Sequence, residues 1–282
     1  MIYKLLGTLI LWFGWYGFNP ASAFLLGKIE YGDILAVVAA TNSTLAAAGG
    51  GLSTLFLNYY VTSRYSGRGK YSLVHCMNGT LSGLVAITAG CGVVEPYGAV
   101  IIGFISGVLY LLGSWGLIKL RLDDAVDAIP VHLINGIWGL LAVGLFASPR
   151  YLQMAYNNTR YPGLFYAGQD GRVHGNLLAA QICDSLFIMA WTSFIMFPFF
   201  TSLEYFGSFR VDAREEVAGL DKVYFGELAA TEEVTPEHLK RLTQEVEEHL
   251  RMRRRMSSSG RSSSSQGMQR QPPSVQGEEP PV

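Results

Sequence analysis

The chain has 282 residues, half of them apolar, and a formal net charge of −1, which excludes the strongly basic surface of a nucleic-acid binder. That near-neutral total hides a partition: of the 43 charged residues, 19 lie in the first 206 positions and 24 in the last 76. A soluble domain does not segregate charge in this way, so the first part reads as membrane-embedded and the second as a polar tail. Cys76, Cys91 and Cys183 all sit in apolar runs without a CxxC pair, so no disulfide framework, metal site or cofactor is expected.

Six apolar runs follow one another at residues 5–26, 34–61, 72–94, 97–120, 126–147 and 176–206. Each is long enough to cross a hydrocarbon core of about 30 Å, which takes roughly 20 helical residues. The expected fold is an all-α polytopic membrane protein with six transmembrane helices and a cytoplasmic tail. The first run contains LWFGWYGFNPASAF (residues 11–24), where aromatic rings, two glycines and Asn19-Pro20 interrupt an oily helix. Lys4, an apolar stretch and Ala21-Ser22-Ala23 also fit the three parts of a signal peptide, which is the alternative reading of this run.

The connecting loops set the orientation. Lys4, Arg64, Arg68, Lys70, Lys119, Arg121, Arg210 and Arg214 fall on one side. The other side receives Lys28 beside Glu30 and Asp33, the Glu95 loop and the long loop 148–175. The positive-inside rule then puts both ends in the cytoplasm. The outer loop carries the acceptor pattern Asn157-Asn158-Thr159; Asn42-Ser43-Thr44 and Asn78-Gly79-Thr80 match too, but inside predicted spans.

Small residues recur along the spans as Gly49-Gly50-Gly51, Gly79-x-x-x-Gly83 and Gly103-x-x-x-Gly107. In lipid, such residues let helices approach closely, and bundle packing accounts for them. Ionisable residues inside a span cost at least a few kcal/mol, so each is a candidate functional group. The sharpest set is DDAVDAIPVHLINGIWG, with Asp127 and His132 in one span around Pro130. With an unperturbed pKa of about 6.5, His132 either relays a proton or bridges two helices by hydrogen bonds. Asp127, near the cytoplasmic helix end, reads as a structural acid. His75 falls at an interface, Asp184 beside Gln181 and Ser185 reads as an interhelical pair, and His174 lies in the outer loop.

In the tail, Thr235-Pro236 opens a helical pattern of Leu239, Leu242, Val246 and Leu250 that ends in Arg251, Arg253, Arg254 and Arg255. Residues 228–256 are expected to form an amphipathic cytoplasmic helix. Residues 257–282, rich in Ser and Pro, are too poor in apolar residues to fold.

LWFGWYGFNPAS and DDAVDAIPVHLINGIWGLLAVGLFA resemble the ammonium transporter (Amt/Mep/Rh) family, its Amt branch in particular. NGTLSGLVAITAGCGVVEPYGAVIIGFISG and FRVDAREEVAGLDKVYFGE are similar to further segments of that family, so the resemblance runs in order over residues 5–227. Such proteins have eleven spans, two inverted repeats of five and a final helix, and this chain resembles spans six to eleven: the second repeat plus the last helix. By position, the resemblance implies that Phe18 is one of two stacked gate phenylalanines and that Ser22 contributes to ammonium recruitment. It makes Leu11 and Trp15 pore-wall residues, His132 the second of two pore histidines and Asp127 a structural acid. It implies a homotrimer, or a mixed trimer with full-length homologues, in the plasma membrane. The chain departs from the pattern at IPVHLIN, less glycine-rich than usual, and at Tyr224-Phe225-Gly226, where a His-Gly is common.

Three function classes follow. The first is transport of ammonium or ammonia through a hydrophobic His-lined pore that needs a first half. The second is a non-transporting membrane subunit that assembles with full-length transporters and modulates them. A membrane enzyme is the third, for which the sequence offers no nucleophile motif, HExxH or paired intramembrane aspartates.

Overall fold

The computed structural model describes residues 2–26 and 30–211, together with Glu215, Glu216, Gly219, Leu220 and Val223. The expected tail helix 228–256, the segment 257–282 and Tyr224-Phe225-Gly226 lie outside the described residues. Among those described there are seven α-helices and one π-helical turn, with no strand beyond two isolated bridges. Two compact units divide the chain, Met1–Ser193 and Phe194–Val282.

The helices are α1 (Ile2–Leu26), α2 (Gly32–Ser66), α3 (Leu73–Thr88), α4 (Pro96–Leu120), the π-turn Ile129–Ile134, α5 (Asn135–Phe146), α6 (Pro149–Tyr156) and α7 (Asn176–Tyr205). Their ends follow local chemistry. Ser72 caps α3 by accepting from the His75 N–H, at 3.3 Å. Pro96 and Pro149 occupy first-turn positions that need no N–H. Gly67, at φ 67°, closes α2 in the left-handed conformation that favours glycine.

By length and composition, Gly32–Tyr65, Pro96–Leu120, Ile129–Phe146 and Asn176–Tyr205 are fit to cross a membrane. Two of the six expected spans are not among these. The third predicted run is a 16-residue helix, α3, followed by turns through Val94. The first is a full 25-residue helix, α1, long enough to cross and with Pro20 inside it. The small helix α6 lies within the loop 148–175, where no element was expected.

α2 is the centre of the first unit and packs against α1, α3 and α4. Backbones meet there almost directly. A Cβ added at Gly83 of α3 or at Gly103 of α4 would stand 2.2 Å from the same Ala46 carbonyl oxygen of α2. Lipid supplies no hydrophobic drive between helices, so this van der Waals proximity is what holds them. The buried hydroxyls of Ser43, Thr54 and Ser106 turn back on carbonyls of their own helix at 2.7 Å, as a medium without water requires.

The end of the bundle that carries Glu95 and α6 is closed by chain-to-chain bonds. Ser148 N–H donates to Val93 O at 2.8 Å and its hydroxyl to Glu95 Oε1 at 2.8 Å. Gly163 and Leu164 donate at 2.9 Å, and Phe165 at 3.1 Å, to the carbonyls of Ala147, Gly144 and Leu145. That strap satisfies acceptors which the end of α5 would otherwise leave open. Further along, His174 Nε2 lies 2.9 Å from both Asp170 oxygens, and this contact with the Arg172 N–H holds the Asp170 carboxyl below its ordinary range. In the second unit, Phe200 stacks obliquely on Phe199 and Phe209, and Arg210 pairs with Glu216 at 2.8 Å.

Candidate functional site

Leu11, Trp15, Phe18 and Ser22 are spaced by four, three and four residues, which puts them on one face of α1. The adjoining face is anchored. Thr8, Asn19 and Ala23 are buried, and Asn19 Nδ2 donates to Ser43 Oγ of α2 at 2.9 Å. With that side fixed, Leu11 and Phe18 are left 50% and 60% exposed. Trp15 is half-buried because its indole N–H donates to Thr88 Oγ1 of α3 at 2.9 Å. Ser22 is exposed, and its hydroxyl donates to the Phe18 carbonyl within the helix at 2.8 Å.

His132 sits in the π-turn, and the residues before it explain why the chain turns there. The Asp124 carboxylate accepts from the N–H groups of Ala128 and Ile129 at 2.8 and 2.7 Å, capping the start. Asp127, at φ 57°, takes the left-handed conformation that Asp and Asn tolerate better than most residues. Its carboxylate accepts from Asn78 Nδ2 at 3.2 Å, Tyr110 OH at 2.7 Å and Ser114 Oγ at 3.0 Å. Asn78 belongs to α3, and Tyr110 and Ser114 to successive turns of α4, so one carboxylate ties three segments together. Pro130 follows, and Asn135 Nδ2 donates back to its carbonyl at 2.8 Å across the wide turn. Such π segments occur frequently at functional sites. The result is a fixed backbone with an exposed His132 imidazole that has no hydrogen-bond partner among the described residues.

α3 lies between these two groups. α1 touches α3, and α3 touches the π-turn and α5, whereas α1 reaches neither of the latter. Leu81, Val85 and Thr88 recur on one face of α3 and are half-buried. Thr88 holds Trp15, while Leu81 and Val85 pack against the cluster of Tyr110, Leu111 and Val131, the last of which adjoins His132 in the chain. Phe18 and Ser22 are therefore not in contact with His132; an apolar stretch of α3 joins them.

The other ionisable candidates are placed elsewhere. His75 Nδ1 lies 2.7 Å from Ser72 Oγ at the start of α3. Asp184 is exposed, and Ser185 instead bonds the Gln181 carbonyl of its own helix. No described residue forms a hydrogen bond or ion pair with Asp184, in place of the interhelical pair expected; its helix α7 turns it into a cavity of about 480 Å³ lined also by Tyr156, Asn158 and Tyr161. No group of three or more His, Cys, Asp or Glu placed to hold a metal exists among the described residues. The residues that the sequence reading missed are Asn78, Tyr110, Ser114 and Asn135. Their signal was their presence in apolar spans, where an amide or phenol has to find a partner.

The sequence model of the Ammonium Transporter Family matches residues 1–230. Ammonium transporter 1 member 2 of Arabidopsis thaliana is 37% identical over 233 residues, a match covering 79% of this chain and 43% of that protein. Ammonium transporter 3 of Dictyostelium discoideum is 35% identical over 228 residues, covering 78% and 48% respectively. Among solved structures, Mep2 of Candida albicans aligns with a TM-score of 0.61 at 27% identity, over 83% of this chain and 48% of that one. The chain thus spans about half the length of the curated relatives it matches.

Proposed function

The chain belongs to the Ammonium Transporter Family, and on that premise we propose that it supplies one side of a transmembrane pathway for ammonium or ammonia. The observation that carries this reading is the pair of open polar and aromatic groups, Phe18 with Ser22 and the unpartnered His132, joined by an apolar face of α3. Ammonium is drawn to the outer rim by ring faces and by the Ser22 oxygen. Phe18 gates entry, and Leu11 and Trp15 form apolar wall where a bare cation is costly. Separation into ammonia and a proton removes that cost, and the His132 imidazole, whose ring nitrogens can accept or donate, takes the proton. Asp127 does not enter the pathway; it fixes the turn that aims His132.

The facing wall comes from the five-span first half of the fold, and the assembly is a homotrimer or a mixed trimer with full-length homologues. The charge distribution supports a plasma-membrane orientation with Lys4 and Arg210 in the cytoplasm. The relatives are named as transporters, and transport rather than an enzymatic reaction is the activity proposed.

Growth of a yeast strain without ammonium uptake, on low ammonium, tests this. Co-expression of this chain with the first five spans of a full-length relative is expected to restore growth, and His132→Ala in the pair to reduce it. Growth supported by this chain alone refutes the one-sided pathway. A pair that co-purifies without transporting refutes the transport reading in favour of a modulating subunit.

A further inference from the structure

We propose that Asn157 carries an N-linked oligosaccharide on the outer loop. Three tripeptides of the chain match the acceptor pattern Asn-x-Ser/Thr, and the fold distinguishes them. Asn42 is fully buried in the middle of α2, and its Nδ2 donates to the carbonyls of Cys91 and Val94 at 2.8 and 2.7 Å. Asn78 lies within α3 and spends its Nδ2 on Tyr110 and Asp127. A glycan on either nitrogen removes these bonds and forces a bulky polar chain between packed helices.

Asn157 has none of those obstacles. It is exposed and ends α6 in the left-handed conformation, at φ 54°, where the chain leaves the helix. Its Oδ1 accepts from Gln153 Nε2 at 2.8 Å, which orients the amide and leaves Nδ2 without an acceptor among the described residues. Thr159, the hydroxyl residue of the pattern, is tied to Gln169 Nε2 at 2.5 Å in the closed loop, so transfer precedes closure of the loop. In the reaction, the Asn157 amide nitrogen attacks the anomeric carbon of an oligosaccharide carried on a membrane lipid pyrophosphate. The new C–N bond forms as the sugar C–O bond breaks, the lipid pyrophosphate leaves with the electron pair, and a base of the host transferase takes the amide proton. This inference rests on the orientation argued above, with residues 148–175 outside, and is independent of transport.

The full chain expressed in a eukaryotic cell provides the test. Treatment with a peptide N-glycosidase is expected to give one downward step in apparent mass on a gel. The tryptic peptide between Arg150 and Arg160 is expected to carry aspartate at position 157 afterwards. Asn157→Gln and Thr159→Ala abolish the step, Thr159→Ser keeps it, and Asn42→Gln and Asn78→Gln leave it unchanged. A step that survives in Asn157→Gln overturns the assignment. The paired change Asp170→Asn and Arg172→Thr, made in Asn157→Gln, moves the acceptor pattern along the same loop. If that pair is modified while the unaltered chain is not, the loop faces outward and Asn157 is refused, which overturns the site alone. Absence of a glycan in both overturns the orientation together with the site.

Discussion

Asp127 receives three donors from two neighbouring helices, yet no cation approaches it among the described residues. Hydrogen bonds to a charged group contribute about 1.5–3 kcal/mol each, and a buried donor left without its acceptor costs a similar amount. Tyr110 is the donor at greatest risk, because it is fully buried. Asp127→Ala is therefore expected to destabilise the protein by about 3 kcal/mol, read as a lower thermal midpoint of the detergent-solubilised chain. Asp127→Asn keeps an acceptor oxygen and tolerance of the left-handed backbone, and should cost about 1 kcal/mol. An Asp127→Ala variant as stable as the parent but unable to transport in the paired assay would move this acid from the scaffold to the pathway. The carboxylate itself was legible in the sequence, since a charge in an apolar run demands explanation. Its partners were not: Asn78, Tyr110 and Ser114 are neutral, and a hydroxyl in a span is commonly satisfied by its own helix, as Ser43 and Thr54 are here.

At the scale of the elements, the glycine pattern announced close packing without saying what it packs against. Gly83 and Gly103 both converge on the carbonyl of Ala46, a residue with no distinguishing mark in the sequence. Pairing of that kind is set by the three-dimensional register of three helices, which a one-dimensional spacing does not encode. The π-turn escaped for a related reason: Pro130 and Asn135 stand five apart, but only the folded chain shows the Asn135 amide reaching back to the Pro130 carbonyl. α6 did leave a sign in Ser148-Pro149, a cap followed by a first-turn proline, within a loop too polar to suggest a helix. Gly103→Ala places a methyl 2.2 Å from the Ala46 oxygen, so α2 and α4 have to separate. Overpacking of this type costs about 1–3 kcal/mol. Gly116→Ala, on the same helix with nothing within 4 Å, should be neutral or gain up to about 1 kcal/mol from helix propensity. Equal thermal midpoints for the two variants would show that the α2–α4 approach contributes nothing to stability.

For the first unit as a whole, exposed apolar area does not by itself separate lipid-facing from protein-facing surface, because Val37 of α2 and Phe13 of α1 are both largely exposed. Polar groups make the distinction. An imidazole in hydrocarbon costs at least a few kcal/mol, so the surface bearing His132 has to meet protein or a water-filled cavity. The same holds for the α1 face that shares the α3 wall with it, where Ser22 and Phe18 stand open. Covering that surface with a five-span half should shield both ends of the wall at once. In a background with Cys76, Cys91 and Cys183 replaced, Phe18→Cys and Ser22→Cys are expected to react readily with a thiol reagent when the chain is expressed alone. Co-expression with the first half should slow both, while Asn157→Cys, in the loop 148–175, keeps its reactivity. If all three stay equally reactive in a complex that co-purifies, the partner docks elsewhere, and the face formed by α1, α3 and the π-turn is not the wall of a shared pathway.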